Sequence, residues 1–126
     1  MPIPATWSGW LLSVLRIVSG LAFMQHGTSK LLGFPPFPMP LNPLLTGAGV
    51  IELVGGALIV IGLFTRPVAF IASGMSAVGY FIAHAPKDFM PINNGGETIL
   101  LYCFIFLYLA AAGGGTLSVD AKLGKA

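Results

Sequence analysis

Four formal charges and two imidazoles stand where a hydrocarbon solvent would have to surround them. Arg16, His26 and Lys30 share one apolar run, Glu52 lies inside a second, His84 closes a third and Glu97 opens a fourth. An ionised side chain at the centre of a membrane helix costs at least ~2.5–3.5 kcal/mol on insertion scales. Such residues therefore pair, line a polar interior or handle ions. Two cations and two carboxylates balance, as mutual pairing requires. Carboxyls such as Glu52 and Glu97, taken out of water, suit proton exchange, and imidazoles such as His26 and His84 suit hydrogen bonding. Asn94, in the stretch "NNGGE", adds an amide beside them.

The rest of the chain makes a membrane the expected surroundings. Of 126 residues, 56% are hydrophobic and 8% charged, whereas soluble domains carry roughly 25% charged residues. A net charge of +2, scattered along the chain, excludes a nucleic-acid footprint. The one cysteine, Cys103, sits in an apolar run, so neither an internal disulfide nor a paired-thiol redox motif is available. A cleaved signal peptide is not expected, because no basic n-region precedes the first apolar run and Arg16 interrupts it.

Four stretches approach the ~20 residues that a helix needs to cross a bilayer core. They lie near Ser8–Leu32, Leu44–Phe64, Pro67–Ala85 and Glu97–Gly113. The proline-rich "GFPPFPMPLNP" cannot be helical and forms a loop. "FTRP" is a tight turn with Pro67 suited to the first position of the next helix. "PKDFMPINNGG" is a polar loop leading into the last span. The fold class is therefore all-α: a polytopic membrane protein, one domain built as a four-transmembrane-helix bundle, with both termini on the same side. Arg66, Lys122 and Lys125 on that side, against Lys30 and Lys87 on the other, make it cytoplasmic by the positive-inside rule. Trp7, Trp10 and Tyr80 are placed for the interface, and small residues such as Ala69, Ser73 and Ala77 for close helix packing. A unit this small is suited to a homo-oligomer or to a partner subunit.

Helical periodicity gives each span one polar or small stripe: Arg16, Gly20, Phe23, His26, Gly27 and Lys30; Glu52 with Gly49, Gly55, Gly56 and Gly62; Ser73, Ala77, Tyr80 and His84; and Glu97, Leu101, Phe104 and Tyr108. At 1.5 Å per residue, Arg16 and Glu52 each lie ~12 Å from opposite ends, near enough in depth to predict an Arg16–Glu52 pair. Lys30, His84 and Glu97 form a shallower layer. Each helical hairpin brings one histidine and one glutamate to the same side, as a parallel repeat would.

Three segments together resemble a known family. "LRIVSGLAFMQHGTSKLLGF", "ELVGGALIVIGLFTRPVA" and "FMPINNGGETILLYCFIFLYLAAAGGGTLSVD" look like the DoxX family of small four-helix membrane proteins. The resemblance implies a multi-pass protein of the bacterial inner membrane, similar to the membrane subunit of a thiosulfate:quinone oxidoreductase. It also implies that the charged positions are Arg16, Lys30, Glu52, Arg66 and Glu97, with His26 and His84 beside them.

Bland alternatives stand beside each of these readings. Asn94 and Glu97 fit a capping box, with Asn94 as N-cap, and that position is compatible with a site. Glu52 is too deep for capping, so it is paired, protonated or functional. The histidines lack H-x-x-x-H or E-x-x-H spacing, so no metal site is expected, and no flavin, iron–sulfur or haem motif is visible. The expected function is a non-autonomous subunit binding a quinone or similar apolar ligand, with Glu52 and Glu97 handling protons and Arg16, His26, Lys30, His84 and Asn94 holding the ligand. A non-enzymatic anchor or assembly subunit is the alternative, and small-molecule transport a weaker one.

Overall fold

The computed structural model describes residues 2–125, and among them every regular element is helical. Helix α1 spans Ser8–Leu32, α2 Pro43–Ile61, α3 Thr65–Ala83 and α4 Glu97–Ala112. The first three, α1 together with the 3-10 turn before it, are long and apolar enough to cross a membrane, and α4 is a shorter apolar helix. The surface agrees with that solvent. Val18, Phe70, Phe81 and Leu101 are all exposed, while the core is limited to Phe23, Ile59, Ala69, Ala72, Tyr102, Phe106 and Leu109. So much exposed apolar surface suits lipid rather than water.

The boundaries follow local chemistry. Asn42 caps α2, its side chain accepting from Leu45 N at 2.8 Å, and Pro43 occupies the first helical position, where its missing N–H costs nothing. Residues 33–42 form the expected irregular connection before it. Helix α2 stops at Ile61 rather than running on to Phe64, because Gly62 turns left-handed (φ 74°). Gly62 N donates to Ile59 O and Leu63 N to Leu58 O, which satisfies the last carbonyls of the helix. Helix α3 then starts at Thr65, two residues before the expected Pro67, which still lies within the first turn, where no N–H is needed.

Packing is organised as two pairs, α1 with α2 and α3 with α4. In the first pair glycine removes the side chains that would hold the helices apart. A Cβ on Gly27 would lie 2.4 Å from Leu53 N, and one on Gly56 2.6 Å from Met24 Cβ. In the second pair the small face of α3, Ala69, Ala72, Ser73 and Ser76, is buried, and the Ser73 hydroxyl donates to Cys103 O at 2.7 Å. The inward face of α4 is Tyr102, Phe106 and Leu109, which corrects the expected stripe of Glu97, Leu101, Phe104 and Tyr108. That helix is apolar all round, so periodicity offered no way to choose its buried side.

After α4 the chain doubles back beneath the bundle. Thr116 N donates to Gly9 O at 3.2 Å, Leu117 N to Ser13 Oγ at 2.9 Å and Asp120 N to Gly62 O at 2.9 Å. This strap brings the start of α1, the end of α2, the start of α3 and the end of α4 to one end of the molecule. Both ends of the described chain lie there.

Candidate functional site

The interior charges separate into two groups at opposite ends of α1. At the C-terminal end, Lys30 Nζ meets Glu52 Oε1 at 2.6 Å, with both side chains nearly enclosed. Two local features create this pair. Gly27 and Gly49 let α1 and α2 touch, so that Gly49 lies against the Lys30 and Leu31 side chains. Glu52 sits in a π-helical turn, Ile51–Gly55, which keeps Glu52, Gly55 and Gly56 all facing inward. Such single π turns recur at functional sites.

Around the pair stand groups of mixed polarity. The ring of Phe37, from the proline-rich connection, lies 5.7 Å from Lys30 Nζ. His26 is exposed, in electrostatic reach of both Glu52 and Lys30, with its ring set edge-on to Tyr102 at 6.0 Å. Tyr102 in turn packs on Phe23 and Phe106, at 5.8 and 5.7 Å between ring centroids. The result is an ion pair with an imidazole and a phenol beside it, floored by aromatic rings. Tyr102 is the member that sequence reasoning missed. Its spacing from Phe106 and Leu109 was available as a signal, but the all-apolar helix hid it.

Arg16 belongs to the other end. Its guanidinium is buried and donates to the carbonyls of Gly114 and Val60. The expected Arg16–Glu52 pair is therefore absent, and Glu52 takes Lys30 instead. The reason is register. Helix α2 begins well beyond the end of α1, since Gly49, six residues into it, is level with Leu31. Glu52 thus stands level with the last turns of α1, and Arg16 is fourteen residues, ~21 Å, below Lys30.

His84 and Asn94 form a third arrangement, closing the loop between α3 and α4. His84 Nδ1 lies 3.0 Å from Asn94 O, and Asn94 Nδ2 donates to the Tyr80 hydroxyl at 3.1 Å and to Asp88 O at 3.0 Å. Asn94 Oδ1 accepts from Gly96 N at 2.7 Å across a left-handed Gly95. The expected capping box is corrected accordingly. The N-cap is Gly96, Asn94 ends a short helical turn Pro91–Asn94, and Glu97 is the first residue of α4, exposed to the surroundings. Two glycines in succession let the chain bend sharply enough to tie the amide back on itself. Each hairpin does keep its histidine and glutamate at one end, but the two glutamates are not equivalent, since Glu52 faces inward and Glu97 outward. Among the described residues no cluster of His, Cys, Asp and Glu could hold a metal ion.

Asp120, to which sequence reasoning gave no role, is the hub of the strap. Its Oδ1 accepts from Phe64 N and its Oδ2 from Thr65 N, both at 2.9 Å, so it caps α3 from fifty-five residues away.

Comparison with known proteins places this architecture. The family model described as DoxX matches residues 11–85, more than half of the chain. A Haemophilus influenzae protein described as uncharacterized is 44% identical over 92% of each chain. The Escherichia coli protein named "Inner membrane protein YphA" is 31% identical over 89% of each. A Bacillus subtilis protein named "Putative oxidoreductase CatD" is 29% identical over 85% of this chain and 82% of its own. No solved structure matches the chain.

Proposed function

Because the chain belongs to the DoxX family of membrane proteins, we propose that its Lys30–Glu52 pair marks the binding place of a quinone or a similar apolar ligand in a quinone-linked redox complex of the bacterial inner membrane. The observation that carries this reading is the placement of a nearly enclosed ion pair at a π turn beside His26 and Tyr102. A bare structural bundle gains little from such a cluster, because removing two charges from water offsets most of their attraction.

The residues suit a quinone. Phe23, Tyr102 and Phe106 supply an aromatic floor, the exposed His26 imidazole supplies a hydrogen-bonding edge, and Lys30 supplies positive charge. A quinone, when bound, supplies electron-carrying chemistry coupled to protons. In this reading Glu52 holds and releases the proton, Lys30 stabilises the carboxylate, and His26 orients a ligand carbonyl. His84 and Asn94 act at a distance, by fixing the loop that leads into α4. The electron donor is a partner subunit, since the chain has a single thiol and no motif for a flavin or an iron–sulfur cluster. We further read all four long helices as membrane spans, α4 included, with the strap on the cytoplasmic side.

One observation favours a second reading, an anchor or assembly subunit. Lys30 and the terminal nitrogens of Arg16 already have partners within the bundle, and of the two side chains only Arg16 Nε is left without one among the described residues. Mass-spectrometric identification of what co-purifies in mild detergent separates the two. A stoichiometric quinone in the native protein, lost from Glu52→Gln while the helices stay folded, is the expected result. The same empty protein in both preparations would assign the pair to assembly.

A further inference from the structure

We propose that the groove at the start of α3, at the opposite end of the molecule from the Lys30–Glu52 pair, binds the headgroup of an anionic phospholipid. The groove is open, about 480 Å³ in volume, and is lined among others by Phe64, Arg66, Pro67, Phe70, Asp120 and Lys125. Three independent features of these residues converge on that occupant.

The first is strain without burial. Phe64 is the one non-glycine residue with positive φ among the described residues (52°), and its ring is half exposed. Asp120 holds the strained backbone in place by accepting from Phe64 N and Thr65 N. The conformation turns the chain from α2 into α3 and in doing so presents an aromatic ring at the groove, and strain kept at such a place is a mark of function.

The second is charge. Lys125 Nζ lies 5.6 Å from the centre of the Phe64 ring, and Arg66 lies one turn along α3 from the groove's apolar wall. Arg66 Nε donates to Ala110 O at 2.9 Å, which aligns the guanidinium while leaving its terminal nitrogens for another acceptor. Asp120 is the opposing charge, but both of its oxygens are already engaged by backbone N–H groups. Two cations therefore face the groove against one carboxylate, which also attracts Lys125, so the groove keeps a net positive charge.

The third is depth. A helix the length of α3 just matches a hydrocarbon core, so its first turn lies at the headgroup level. Phe70 is exposed and stands further along the same helix, on the hydrocarbon side of Arg66. A phosphate between Arg66 and Lys125 leaves its acyl chains to run along Pro67 and Phe70. A free phosphate uses only the cations, and a zwitterionic headgroup brings its own positive charge against them. An anionic lipid satisfies both walls at once.

The test is native mass spectrometry of the full chain, released from nanodiscs that contain equal phosphatidylglycerol and phosphatidylethanolamine. Retained phosphatidylglycerol is expected to exceed phosphatidylethanolamine, and Lys125→Gln to lower that preference by roughly fivefold, as the loss of one interfacial cation should. Lys125→Gln removes no side-chain hydrogen bond of the fold. Arg66→Gln is the second variant, with Lys87→Gln at the other end as the control that leaves the preference unchanged. Equal retention of the two lipids, or an unaltered preference in both groove variants, would overturn the proposal. So would displacement of phosphatidylglycerol by glycerol phosphate at equal concentration, which would identify a site for soluble phosphate.

Discussion

At the scale of single residues, the Lys30–Glu52 pair is a liability that its two members remove for each other. Lys30→Met leaves a carboxylate enclosed between α1 and α2, and is expected to lower stability by about 3–5 kcal/mol, as stranding one partner of a buried pair does. Replacing both, with Lys30→Met and Glu52→Leu together, is expected to recover most of that loss. Thermal unfolding in detergent measures both, and a double variant no better than the single would refute the pairing. Sequence alone identified Arg16, Lys30 and Glu52 as interior, because each costs so much in hydrocarbon that its presence is itself a signal, but it counted the exposed Glu97 with them and passed over the buried Asp120. It could not identify the partners. Arg16 and Lys30 lie on the same face of the same helix, and only the offset between α1 and α2 decides which of them meets Glu52. That offset depends on the path of the proline-rich connection and on glycine contacts such as Gly27 against Leu53, neither of which has a pattern readable in one dimension.

At the scale of elements, the molecule ties helix ends together with groups remote in sequence. Asp120, in the strap and outside the spans, is the clearest case. Burial works to raise its pKa, but the N–H groups of Thr65 and Phe64, the Thr65 side chain and the Lys125 ammonium outweigh burial and hold the carboxyl below its usual 3.8. A carboxyl with a depressed pKa in the folded state stabilises fully above its unfolded value, and that contribution disappears as pH falls through the folded value. Asp120→Asn is therefore expected to lose about 1–2 kcal/mol at neutral pH, the usual effect of a lost N-terminal cap. The gap between variant and native protein should narrow as pH drops below about 4. Unfolding curves collected from neutral to acid pH check this, and a gap independent of pH would show that Asp120 acts by shape alone. The helices themselves were legible, with boundaries within a few residues, since apolar length and proline placement declare them. The buried face of α4 and the long-range caps were not. The former lacks polar contrast, and the latter join residues more than fifty positions apart.

At the scale of the whole molecule, the strap gathers both ends of the described chain at one end of the bundle, beside Arg66, Lys122 and Lys125. In the reading with four spans this end faces the cytoplasm. Single cysteines placed at Ala5 and at Lys122, both exposed, in a Cys103→Ser background, should both resist an impermeant thiol reagent applied to intact cells, while one at Phe89 reacts. Labelling of all three, or of Lys122 alone, would require a different path through the membrane. The strap also has a consequence for how the chain is made. Ser13 and Arg16 donate to the carbonyl of Gly114, 101 and 98 positions later. Helix α1 carries a guanidinium whose acceptor is made only after all four long helices have been translated. Until then the guanidinium lacks the Gly114 carbonyl, so α1 is expected to dock fully only once the strap follows α4. A chain truncated before Gly114 is expected to keep all four long helices and still lose stability, because the Arg16 guanidinium is left short of an acceptor.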